Sequence, residues 1–141
     1  IRLGTEIENT LKYYYMEKKG HHNMIDLKND PKYTLNIFQR VLPWTQNSVL
    51  DLYKIEFNID LRLNSKLSSI QEIMLCRHLY AHNCGLLTDD FISKFHKLTG
   101  IDILTIPSAQ TYPCEDTYYF EPLKKLNKFI EDSKKFVKEL P

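Results

Sequence analysis

The chain has 141 residues, 43% of them hydrophobic and 26% charged, with a formal net charge of +1. That length and balance fit one soluble globular domain with its own core, not a disordered or fibrous chain. The small net charge excludes capture of a polyanion by overall charge, so any nucleic acid must be held by a local patch.

Leu3, Ile7, Leu11 and Tyr14 recur at helical spacing, which predicts a first helix running to about Lys18. Glu6 and Glu8 lie in its early turns, where the macrodipole favours acids, and both read as a solvated face. Gly20-His21-His22-Asn23 is a break. Adjacent histidines point in different directions on any regular element, so this pair reads as loop and not as a metal site. Asp30-Pro31 reads as a helix start, with Leu35, Phe38, Val41 and Leu42 inward, Pro43 as the stop and Trp44 packed at the corner. Thr45 or Asn47 is placed to cap a third helix that buries Val49, Leu52, Tyr53 and Phe57. In the connector 58–66, Ile59, Leu61 and Leu63 alternate as in a short extended piece.

The most informative stretch follows. Ser69-Ile70-Gln71-Glu72 has the form of a capping box, and Gly85 can take the positive φ that ends a helix. A helix from Ile70 to His82 is therefore marked at both ends. Wound at about 100° per residue, it puts Leu67, Ile70, Ile73, Met74 and Ala81 on one side, with Arg77 in their midst. Leu75 and Leu79 lie opposite, and His78 and His82 sit one turn apart on the flank. A helix that is apolar on two sides is buried on two sides. An arginine centred on an apolar face is costly unless it meets an anion. The macrodipole alone also favours Arg and His near a C-terminus, so spacing by itself does not separate chemistry from helix stabilisation.

Thr88 caps the next helix, with Asp89 and Asp90 in its first turn, Phe91, Ile92, Phe95 and Leu98 inward, and Thr99-Gly100 as the stop. Residues 101–106 are the best strand candidate, 108–117 reads as a surface loop, and Tyr118-Tyr119-Phe120 is expected to pair back as a small hairpin. Glu121-Pro122 opens a final helix with a stripe of Leu123, Leu126, Ile130, Val137 and Leu140, widened by Phe129 and Phe136. Its outer side carries Lys124, Lys125, Lys128, Lys134, Lys135 and Lys138 among Glu131 and Asp132. Such a face is ordinarily solvated; the sharper reading is an RNA-facing patch that includes Lys124 and Lys128. The expected fold is all-α, an antiparallel bundle of four to six helices with a hairpin near residues 101–120.

Arg77-His78-Leu79-Tyr80-Ala81-His82, continued by Asn83, Gly85 and the helix from Thr88 to Phe95, resembles the signature of the HEPN superfamily of all-α nucleotide-binding and ribonuclease domains. That motif is an Arg, usually followed by a polar residue, then a His after four to six intervening residues; here four intervene. The likeness is sharp over 70–95 and looser over 35–138. It implies one HEPN-like domain over 1–141, two motifs joined across a homodimer, and a toxin or antiviral effector held in check by an antitoxin or a larger defence protein. It also raises Glu8 as an orienter, since carboxylates of the first helices lie near the Arg-His pair in some relatives. The place after Arg is often Asn and here is His78. Some toxins of the family carry a Tyr two residues after the motif His, where this chain has Cys84, so regulation through that Tyr is not carried over.

RNA supplies its own nucleophile, the 2′-hydroxyl. An imidazole near its ordinary pKa of about 6.5 can take that proton at neutral pH and return one to the leaving 5′-oxygen. His82 is the candidate base. Arg77 offers a planar, permanently charged fork for the phosphate oxygens. His78 would orient the phosphate or His82, and Asn83 would donate a hydrogen bond. Leu75 and Leu79 are expected to help form the seam of the dimer. No cofactor is implied: the four glycines are isolated, and His78 with His82 has no third ligand at diagnostic spacing. Three widely spaced cysteines form no disulfide framework, which favours a reducing cytoplasm. No apolar run approaches membrane-spanning length, and no signal peptide opens the chain. The first residue is Ile1, so a domain cut from a longer protein is expected. The alternative function is a non-catalytic helical module that dimerises or binds RNA or nucleotide, with Arg77 merely paired to an internal acid such as Glu8 or Glu56.

Overall fold

Helix α4 (Leu67–Asn83) is apolar nearly all round, because Ile70, Ile73, Met74, Leu75, Cys76 and Leu79 are all buried although they point in different directions. Three other helices surround it: α1 (Arg2–Lys19), α5 (Asp89–Thr99) and α6 (Leu126–Lys138). The remaining helices are α2 (Met24–Lys28) and α3 (Val49–Phe57), with 3-10 turns at Ile37–Gln39, Leu61–Leu63 and Ile103–Thr105. The computed structural model describes residues 1–105, 109–111, 118–120 and 125–141. The architecture is a helical bundle with one antiparallel strand pair, β1 (Ala109–Thr111) and β2 (Tyr118–Phe120), in which Gln110 faces Tyr119.

The main core joins α1, α3, the first half of α4 and α6 around Leu11, Tyr15, Tyr53, Ile70 and Phe136. A second cluster joins the last half of α4 to α5 through Leu75, Leu79, Phe91, Phe95 and Ile103. Burying each such side chain contributes roughly 1.5–3 kcal/mol before entropy is counted. The buried polar groups are paired: Gln71 Nε2 donates to the Val41 carbonyl at 2.8 Å, and the Tyr53 hydroxyl donates to the Leu11 carbonyl.

Several local expectations fail, each because a polar side chain is used differently. No helix starts at Asp30-Pro31. Asp30 is 7% exposed and accepts from the Tyr15 hydroxyl at 2.7 Å, the Lys32 amide at 2.8 Å and, at 2.9 Å, meets His21 Nε2. It ties α1 to the following loop instead of capping. Asn36, with φ 64°, turns the chain into the 3-10 segment. Phe38 and Val41 still face inward, while Leu35 is 72% exposed. Asn23 caps α2, a helix with no apolar period long enough to notice. Ser48, neither Thr45 nor Asn47, caps α3. Asp60 caps the 3-10 turn that replaces the expected extended piece, burying Leu61 and exposing Leu63. Residues 101–105 form no strand, and 106 lies outside the described residues. Asp102 starts a 3-10 turn there, and Tyr118–Phe120 pairs with Ala109–Thr111. The expected helix start at Glu121-Pro122, together with Leu123, Lys124 and most of the loop 108–117, lies outside the described residues.

The capping box at Ser69 does not form either, since α4 begins at Leu67. The Ser69 hydroxyl donates to Asp132 Oδ2 at 2.6 Å, and Glu72 accepts from Lys125 at 2.7 Å. These bonds fix the phase of α6. Phe129, Asp132, Ser133 and Phe136 face inward, whereas Leu126 and Val137 of the expected stripe are exposed. Asp132 is not part of the expected solvated face: it is 5% exposed and also receives Lys128 at 2.8 Å and Lys66 at 3.4 Å. Hydrogen bonds from Lys128 and Ser69 outweigh its burial and hold its carboxyl at about 2. A pKa depressed on folding stabilises above the unfolded value and is lost as pH falls through the folded one. We therefore expect Asp132→Asn to cost about 2 kcal/mol at pH 7. In urea denaturation at stepped pH, that difference should close between about pH 4 and pH 2.

Candidate functional site

Helix α4 stops bluntly. Cys84 (φ 51°) and Gly85 (φ 83°) both take left-handed conformations, and the Gly85 amide turns back toward the Leu79 carbonyl. A Cβ on Gly85 would lie 2.7 Å from the Tyr80 ring, so only glycine fits there. The stop leaves one edge of the last turns, His78, Ala81 and His82, open to solvent. The opposite edge is closed by α5. Leu75 and Leu79 are 4% and 1% exposed and packed on Phe91 and Phe95, so they cannot form the seam expected of them.

Arg77 lies where α1 and α4 come closest. A Cβ on Gly4 would be 2.6 Å from Arg77 Cδ and 3.0 Å from Arg77 Cβ, so α1 lays bare backbone along the arginine stem. The anion that Arg77 needs is Glu8, one turn further along α1. Arg77 Nη1 donates to Glu8 Oε2 at 2.8 Å, and Gln39 Nε2 donates to Glu8 Oε1 at 3.1 Å. The two charged side chains are only 20% and 14% exposed. Glu8 is thus the arginine's internal partner and not a solvated acid; Glu56 pairs with Lys19. The bond uses one terminal nitrogen, and among the described residues Nη2 has no partner.

Arg77, His78 and His82 line one solvent-open cleft of about 540 Å³, within the usual range of ligand sites. Its other wall is the 3-10 segment, with Gln39 and Arg40, and Lys94 of α5 reaches its rim. None of the lining residues is Asp or Glu. The His78 and His82 rings are 4.5 Å apart between centroids. Partial burial, then the neighbouring His82 and Lys94, push the His78 imidazole below its ordinary value, with Asp90 opposing. At neutral pH His78 is therefore uncharged and able to accept a hydrogen bond.

The other candidates lie elsewhere. Asn83 lines a separate pocket of about 220 Å³ with Thr88, Asp90 and Phe91, and His78 borders both spaces. Lys128 belongs to the Asp132–Ser69 cluster near the start of α4, about 12 Å along the helix from Arg77 by rise alone. Lys124 is outside the described residues. Arg40 and Lys94 escaped the sequence reading for a physical reason. Arg40 falls in a segment read as helix, where it would have faced outward, and Lys94 has the i, i+4 spacing of a surface ion pair with Asp90, which it forms at 2.9 Å.

Among the described residues no three His, Cys, Asp or Glu side chains cluster as a metal would need. Among the described residues Cys76 and Cys84 are free thiols; burial pushes Cys76 up to about 12, so of these two it is the exposed Cys84 that is open to thiol chemistry. No helix among the described residues is long and apolar enough to cross a membrane. Compared with known protein families, curated proteins and solved structures, the chain has no match. What the cleft can do rests on its own residues: a charged fork and two imidazoles on one helix edge, open to an anion.

Proposed function

We propose that the cleft cleaves RNA without a metal. The supporting observation is that Arg77, His78 and His82 border one open space whose lining holds Arg40 and Lys94 and no acid. A phosphodiester seated there puts its non-bridging oxygens against Arg77. His82 takes the proton of the 2′-hydroxyl, the 2′-oxygen bonds to phosphorus, and the bond to the 5′-oxygen breaks. The protonated His82 of a second copy gives its proton to the departing 5′-oxygen. The products are a 2′,3′-cyclic phosphate and a 5′-hydroxyl. Arg77 stabilises the charge that builds on phosphorus, and neutral His78 orients the phosphate or the His82 ring. A homodimer pairing across the exposed edge of His78, Ala81 and His82 would bring a second set of these groups. The HEPN resemblance supports this reading and suggests a toxin or antiviral effector in the cytoplasm, checked by an antitoxin or a larger defence protein.

The alternative, a non-catalytic helical module for dimerisation or RNA or nucleotide binding, is favoured by one observation: Arg77 already has Glu8. End-group analysis separates the two. The enzyme is expected to leave cyclic phosphates, to work in EDTA, and to spare RNA whose 2′-oxygens are methylated. Absence of cleavage across RNA substrates, or cleavage of methylated RNA, overturns the proposal.

A further inference from the structure

Arg40 is half-buried and lines the cleft opposite α4, and among the described residues its side chain has no hydrogen-bond or ion-pair partner. The other two arginines with described ion pairs are Arg77 on Glu8 and Arg62 on Asp51. A permanently charged guanidinium on a cleft wall, with no described anion bonded to it, can take one from a ligand. No acid lines the cleft to supply one instead. The backbone beside Arg40 is not loose: its amide donates to the Ile37 carbonyl at 3.0 Å, and its carbonyl accepts from the Val49 amide at 3.0 Å. The side chain therefore projects from a fixed point. Next to it, Gln39 and Arg77 both bond the Glu8 carboxylate, so that acid is already engaged.

We infer that Arg40 is a second phosphate subsite, which binds a phosphodiester neighbouring the one at Arg77, so that the ligand is single-stranded RNA carrying at least two phosphates. Lys94 adds charge at the rim; its exposed bond to Asp90 is weak enough to yield to a phosphate. A planar fork suits phosphate oxygens better than a lysine would. The subsite positions the strand and takes no part in bond making. It rests on the proposed ribonuclease site, but binding can be measured apart from cleavage.

The test is equilibrium binding of a 2′-O-methylated single-stranded RNA of about ten nucleotides, at stepped salt. Arg40→Ala and Arg40→Gln are compared with wild type and with Arg62→Ala, whose arginine pairs outside the cleft. Both Arg40 variants should bind about 5- to 50-fold more weakly, with a salt slope reduced by about one phosphate contact. Arg62→Ala should bind as wild type does. Thermal melting screens out any variant that fails to fold, and Arg40→Gln keeps most of the stem. Unchanged affinity and slope in a folded Arg40 variant overturn the subsite, as does wild-type protein that binds no RNA. Binding that depends on Arg40, in a protein that cuts no RNA, upholds the subsite and removes the nuclease reading.

Discussion

His82→Ala should cut RNA about 10²- to 10⁴-fold more slowly than wild type, the usual contribution of a general acid–base group. The fold should not change. His82 is exposed, and its described contact is the His78 ring, so its removal opens no cavity and orphans no buried bond. Stability measured by denaturant should stay within about 0.5 kcal/mol, as for surface substitutions generally. His96→Ala is the matched control, an exposed histidine on the last turn of α5 and outside the cleft. Full cleavage by His82→Ala would remove the imidazole from the mechanism and the mechanism with it.

Arg77→Ala should do two things at once. Removing the cation from the phosphate should cost about 10²- to 10³-fold in kcat, the scale of a lost transition-state donor. Removing it from Glu8 leaves a carboxylate that is only 14% exposed with the Gln39 amide as its hydrogen-bond donor, so about 1–3 kcal/mol of stability should go as well. Adding Glu8→Gln should recover part of the stability, because the uncompensated charge is gone, and none of the activity. The double-mutant cycle should therefore show coupling in stability and none in cleavage. If Arg77→Ala loses stability yet keeps full activity, the arginine is a brace between α1 and α4, and the helical-module reading gains.

The sequence carried the long helices because their signals are dense. Leu3, Ile7 and Leu11 repeat along α1, and Thr88 with Gly100 marks both ends of α5. It misled wherever a capping residue had a tertiary alternative. Asp30 and Ser69 look like caps locally, but each finds a stronger partner far along the chain, Tyr15 for one and Asp132 for the other. In α6 the expected Phe129 and Phe136 are inward, but Leu126 and Val137 are not, because the burial of Asp132 depends on Ser69 and Lys66 from outside the helix. Of the site, the Arg77, His78 and His82 edge was legible because its members share one helix. Of its partners, Glu8 was legible as one of two candidate acids for Arg77, while Arg40 was not, because it follows a 3-10 segment that periodicity cannot detect.

The burial of Leu75 and Leu79 beneath α5 bears on how two copies could meet. With that hydrophobic surface consumed, the edge left for a twin offers imidazoles, a methyl group and nearby arginines. Two such edges facing each other bring little apolar area and set Arg40 against Arg40 with no acid in the cleft between, a poor adhesive by themselves. A strand of phosphates laid between them would cancel that repulsion from both sides. On the proposed ribonuclease reading, a pair formed there would be transient until RNA bridged it.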